Sequence, residues 1–121
     1  MRDQSLYIRD IIATIESIEA FIVDMDCQSF LHDDKTQSAV IRKLEIIGEA
    51  VKQLPTEFLE NYPHIPWKQI AGLRDESIDF YLGMDPELIW RTIRTRLPEL
   101  KKTLQSIQCQ DCPVKKLQPL N

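Results

Sequence analysis

The chain has 121 residues, is 43% apolar, contains three glycines and carries a formal charge of −4, which fits one domain with a sizeable core and leans toward helix over a turn-rich β protein. Charges from Met1 through Asp10 and spaced apolar residues after them exclude a signal peptide and a membrane span, so a cytoplasmic location is expected. The acidic balance argues against a protein coated in basic surface for nucleic acid.

Ile8, Ile11, Ile15, Ile18, Ile22 and Met25 alternate gaps of three and four, one stripe of a first helix that begins near Asp3, a residue suited to an N-cap. A polar break from Asp26 to Asp34 follows. Val40, Leu44, Ile47, Val51 and Leu54 repeat the spacing until Pro55 stops a second helix, expected antiparallel to the first. Thr56 to Pro63 allows only a short helix, and Pro63 and Pro66 precede a helical run from Trp67 to about Tyr81.

Leu82-Gly83-Met84-Asp85-Pro86 reads as an end and a restart. Gly83 suits a left-handed C′ position, Asp85 an N-cap and Pro86 the first helical position. Ile89, Ile93, Leu97, Leu100, Leu104 and Ile107 then line a last helix, in which Pro98 should cause a bend. The expectation is an all-α up-and-down bundle of four to five helices over residues 1–108, with a flexible tail over 109–121. The isoleucine stripe of the first helix equally suits a partner helix, so a homodimer fits the pattern.

Charge is divided unevenly along the chain. Residues 1–85 hold 8 Lys/Arg against 16 Asp/Glu and residues 86–121 hold 7 against 3, giving −8 and +4. The basic end is where a phosphate backbone would sit, and Arg91, Arg94 and Lys101 have suitable spacing on the last helix. A cationic last helix that answers its own dipole and the acidic body explains the same asymmetry, so both readings stay open.

Metal chemistry finds little support. Glu45 and Glu49 are four apart on the second helix, but a di-metal bundle also needs Glu-x-x-His pairs, and His32 and His64 are placed in loops. Glu49 therefore reads as a structural hydrogen-bond acceptor. Three cysteines, Cys27, Cys109 and Cys112, are an odd number for a disulfide framework. Cys109-Gln-Asp-Cys112 has knuckle spacing without a second pair, so no metal and no cofactor is expected. There is no Gly-rich phosphate loop and no nucleophile elbow.

The segment from Gly72 to Asp85 stands out. On a helix Arg74 and Tyr81, seven apart, share a face, so a cation and a phenol point the same way. A surface Arg paired with a carboxylate and a Tyr at the bundle rim would give the same spacing. Arg74-x4-Asp79-x-Tyr81 resembles the R-x4-H-x-Y motif of HepT-like proteins, the minimal HEPN family. The flanks are similar too: Arg9-Asp10-Ile11, the run from Thr36 to Ala50 including Ile47-Gly48-Glu49-Ala50, the run from Ile65-Pro66-Trp67 to Arg74-Asp75, and Leu97-Pro98-Glu99-Leu100. The likeness covers nearly all of residues 1–105.

The resemblance implies a dimeric helical toxin of a toxin–antitoxin pair that cuts RNA without a metal at a cleft shared by two subunits. It implies as partner a minimal nucleotidyltransferase antitoxin, which silences the toxin by placing AMP on the motif tyrosine, Tyr81 here. Arg74 takes the role of stabilising charge on the phosphate. The departure is Asp79, which occupies the family's histidine position. An ordinary carboxylate, ionised at neutral pH, accepts a proton but has none to return, unlike an imidazole. Three readings follow: an active or weakened ribonuclease, an inactive relative that still binds its nucleotidyltransferase and accepts AMP on Tyr81, and a dimeric scaffold unrelated to RNA.

Overall fold

The computed structural model describes residues 4–72 and 85–110, and every regular element among them is a helix. The first, α1, runs over Gln4–Phe21 and buries Ile8, Ile11, Ile12, Ile15 and Ile18. Each fully buried isoleucine contributes about 1.5–3 kcal/mol relative to an exposed one, so this stripe anchors the core. Asp3, the expected cap, lies outside the described residues. The helix stops at Phe21, short of Met25, and its stripe continues in a turn where Ile22 is buried and Met25 packs against the core.

The polar break expected from Asp26 to Asp34 is not all loop. Asp26 accepts from the Ser29 backbone N–H at 2.8 Å and starts a five-residue helix, α2, over Cys27–Leu31. Phe30, with no exposed surface, pins it to the core. The next cap follows at once: Asp33 accepts from the Thr36 N–H at 3.0 Å and the Thr36 hydroxyl at 2.8 Å, and α3 spans Asp34–Lys52. Gln37 on α3 donates through Nε2 to the Phe30 and Leu31 carbonyls at 2.8 and 3.1 Å. It thereby satisfies the open C-terminus of α2 and locks the two helices together.

Val40, Leu44, Ile47, Val51 and Leu54 are all buried, as their spacing predicts. Tyr7 and Asp10 of α1 line the same groove as Glu49 of α3 and its C-cap Gln53, so the two helices run antiparallel. After Pro55 the short α4 covers Thr56–Glu60 and buries Phe58. Phe58 meets Tyr62 and Trp67 at ring-centroid distances of 5.3 and 6.1 Å. The Trp67 indole donates to the Tyr62 carbonyl at 3.0 Å, which fixes the start of α5, described over residues 67–72.

The last helix, α6, covers Pro86–Gln110. Asp85 caps it, accepting from the Glu87 N–H at 3.1 Å, with Pro86 at the first helical position where its missing donor costs nothing. Gly83 lies outside the described residues. Ile89, Ile93, Leu97, Leu100, Leu104 and Ile107 are all buried, at 0–3% exposure. Pro98 does not end the helix. Two turns of it carry Thr hydroxyls bonded back to carbonyls, Thr92 to Leu88 at 2.9 Å and Thr95 to Arg91 at 2.7 Å. The helix reaches Gln110, past Gln108 where the sequence pattern ends it. Among the described residues no helix is long and apolar enough to cross a membrane.

Candidate functional site

Arg74, Asp79 and Tyr81 lie outside the described residues, and so does Cys112. What the structure defines is the frame on either side of them. On the entry side α5 is held by buried Ile65, Trp67 and Ile70. On the exit side the Asp85 cap fixes where α6 starts. The first turns of α6 follow the motif segment directly in the chain.

Those turns present a cationic surface with an aromatic base. Arg91 and Arg94 are exposed. The Arg94 guanidinium carbon sits 5.4 Å from the ring centroid of half-buried Trp90. Trp90 is backed by Phe30 at 5.2 Å and an interplanar angle of 39°. A helical residue that must come from α2 therefore sets the position of an α6 indole, and the indole in turn carries a guanidinium.

Lys101, grouped with Arg91 and Arg94 by sequence spacing, has a different setting. Its ammonium donates to Glu19 at 2.8 Å and lies 3.6 Å from Glu16, both on α1. The hydrogen bond to Glu19, and the negative charge of both carboxylates, raise the Lys101 pKa above the ordinary lysine value. Arg96 donates to the Gln69 side chain at 3.3 Å and joins α6 to α5. The structure thus leaves Arg91 and Arg94 facing outward and engages Lys101 in holding α6 to the acidic body. Sequence reasoning missed Trp90. Its signal was an aromatic four residues before a cation on one helix face.

A concavity of about 420 Å³ opens between α1 and α3 and is lined by Tyr7, Asp10, Arg42, Glu45, Glu49 and Gln53. Arg42 pairs with Glu45 at 3.1 Å within α3. Glu49 is exposed on this wall and has a polar partner of its own. Among the described residues no three His, Cys, Asp or Glu side chains gather as a metal site would require. His32 Nδ1 instead sits 2.9 Å from the Gln28 carbonyl of α2.

The described residues define a class, a helical bundle whose last helix presents Arg91 and Arg94 outward. The HepT-like family profile, described as Ribonuclease HepT-like, matches residues 11–107, and the chain belongs to this family. The matched span includes Arg74, Asp79, Tyr81 and the cations of α6. Among relatives, "Putative RNase MJ0125" of Methanocaldococcus jannaschii is 42% identical over 106 residues, which cover 88% of this chain and 91% of that protein. "Probable ribonuclease HepT" of Thermococcus cleftensis is 42% identical over 107 residues, 88% of this chain and 97% of that protein. "Putative RNase TTE0752" of Caldanaerobacter subterraneus is 39% identical over 107 residues, covering 88% and 96%. No solved structure matches the chain at a significant level.

Proposed function

We propose that this chain is a metal-independent ribonuclease of the HepT type, the toxin half of a cytoplasmic toxin–antitoxin pair. The observation that carries the reading is the family match over residues 11–107 joined to the string Arg74-x4-Asp79-x-Tyr81 within it. Two copies form a homodimer and bring their Arg74 and Asp79 to one cleft. The Asp79 carboxylate accepts the proton of the RNA 2′-hydroxyl, whose oxygen attacks the adjacent phosphorus as the bond to the 5′-oxygen breaks. Arg74 offers two N–H donors to the phosphate oxygens on which charge accumulates.

The leaving 5′-oxygen needs a proton, and a lone ionised carboxylate has none. Two Asp79 carboxyls sharing the dimer cleft would hold one proton between them, because like charges at short range do not both ionise. A cognate minimal nucleotidyltransferase places AMP on Tyr81 and so silences the cleft with a bulky phosphodiester. RNA backbone binding falls to Arg91 and Arg94, with Lys101 secondary because Glu16 and Glu19 already neutralise it.

A second reading is favoured by one specific residue. Asp79 in place of the family histidine removes the group that titrates near neutrality, and loss of a positioned general acid–base typically costs about 10²–10⁴-fold in rate. An inactive relative would still bind the nucleotidyltransferase and accept AMP on Tyr81. Incubation with total bacterial RNA in chelator, beside Asp79→His and Arg74→Ala, separates the two. Cleavage by the chain itself that Arg74→Ala abolishes selects the ribonuclease. Cleavage only by Asp79→His, with a mass increase confined to Tyr81 in the presence of ATP and the nucleotidyltransferase, selects the silenced form.

A further inference from the structure

Resting on the ribonuclease reading, we propose that Trp90, with Arg94 and Arg91, forms a stacking site that selects single-stranded RNA and seats one unpaired base. Trp90, Arg94 and Arg91 fall within an arc of about 100° on α6. The half-buried indole packs against the Phe30 ring at 5.2 Å. The exposed Arg94 guanidinium lies over the indole, 5.4 Å from the ring centroid. Among the described residues, an aromatic ring packed against the core and faced by an exposed cation is a surface a second planar group can take.

A nucleobase is the planar group that fits the charges. Base stacking on an indole outweighs a solvent-exposed cation–π contact, so an incoming base displaces the guanidinium from the ring. The displaced Arg94 then meets the phosphate beside that base, and Arg91, on the next position of the helix, meets a neighbouring phosphate. A duplex keeps its bases stacked on each other and has none to give, so only a single strand, a loop or a bulge satisfies both the ring and the cations. Glu87, one turn before Arg91 and also exposed, is a carboxylate on this flank that opposes a phosphate.

The test uses the full chain and an uncleavable probe, a fluorescein-labelled 2′-O-methyl RNA strand roughly twelve nucleotides long, alone and annealed to its complement. The proposal expects the strand to quench tryptophan emission in the chain as given and to lose most of that quenching in Trp90→Phe, where only buried Trp67 remains. Affinity by anisotropy should be largely kept in Trp90→Phe, which retains a ring, and fall about tenfold in Trp90→Leu. Arg91→Gln and Arg94→Gln should each weaken binding and reduce the slope of log affinity on log salt by about 0.7, Lys101→Gln should weaken it less than either, and Glu87→Gln should strengthen binding. The duplex should bind at least about tenfold more weakly.

Quenching that persists in Trp90→Phe, or a duplex that binds as well as the single strand, overturns the proposal. Because both readouts come from well-folded proteins, a Trp90→Leu variant that fails to melt cooperatively does not rescue it. If the Asp79→His variant cuts RNA while probe binding ignores Trp90, the stacking site falls and the ribonuclease reading stands. If no variant cuts and no probe binds, both fall together.

Discussion

Arg94 and Lys101 stand seven residues apart on α6, close to two helical turns, and an ideal wheel gives them the same outlook. Their environments nonetheless differ. Arg94 lies over Trp90, whereas Lys101 meets Glu19 and Glu16 at 2.8 and 3.6 Å. The Glu19 contact joins residues 82 positions apart, and no local pattern announces a pair formed at that separation. The pair is half-exposed, so Lys101→Gln should cost at most about 1 kcal/mol in urea unfolding. The folded-state pKa of Lys101 is raised, chiefly by the bond to Glu19. Its contribution is therefore complete below the unfolded lysine pKa and is lost as pH rises through the folded one. Thermal melts should show the gap between the chain and Lys101→Gln constant near neutrality and closing in strong alkali.

At the scale of elements, aspartates set the helix starts. Asp26, Asp33 and Asp85 each accept a backbone N–H at the beginning of α2, α3 and α6. The Ser29 and Thr36 N–H groups bonded to Asp26 and Asp33 hold both carboxyls below the usual carboxylate value. Stability from these two groups is thus present above the unfolded pKa and lost as pH falls through the depressed folded one. Asp33→Asn should keep the cap at neutral pH yet show a shallower fall of melting temperature on acidification, while Asp33→Ala should melt a few degrees lower at every pH above the carboxylate range.

The long helices were legible because their stripes repeat at helical spacing over many turns, and every residue assigned to the stripes of α3 and α6 is buried. The short α2 was not legible. Five residues give periodicity no room, and its two determinants, the Asp26 cap and buried Phe30, look like any polar break with one aromatic in it. Pro98, expected inside the last helix, does sit within it, with buried Leu97 and Leu100 on either side holding the turn against the core.

For the whole molecule, α1, α3 and α6 enclose one core, and the charge division of −8 and +4 between residues 1–85 and 86–121 is partly internal, through Lys101, and partly displayed, through Arg91 and Arg94. Leu104, with no exposed surface, belongs to the part of α6 that only stabilises. Leu104→Ala should cost about 2–5 kcal/mol by urea unfolding without altering the spacing of Arg91 and Arg94. The family was legible from Arg74-x4-Asp79-x-Tyr81 and its flanks, and the profile match over residues 11–107 agrees. The division of labour among the cations was not, since it depends on which carboxylates α1 brings to α6.

In the function proposed above, RNA is cut at a metal-free centre built on Arg74 and position 79. Single-turnover cleavage of one labelled RNA in chelator, followed from about pH 5 to pH 9 for the chain, Asp79→His and Asp79→His/Arg74→Ala, tests it most directly. Asp79→His should be fastest, with a rate that bends near the imidazole pKa of about 6.5. The chain itself should be slower by about 10²–10⁴-fold, and adding Arg74→Ala should remove cleavage. Rates that are equal in all three proteins, or that appear only when a divalent metal replaces the chelator, would contradict it.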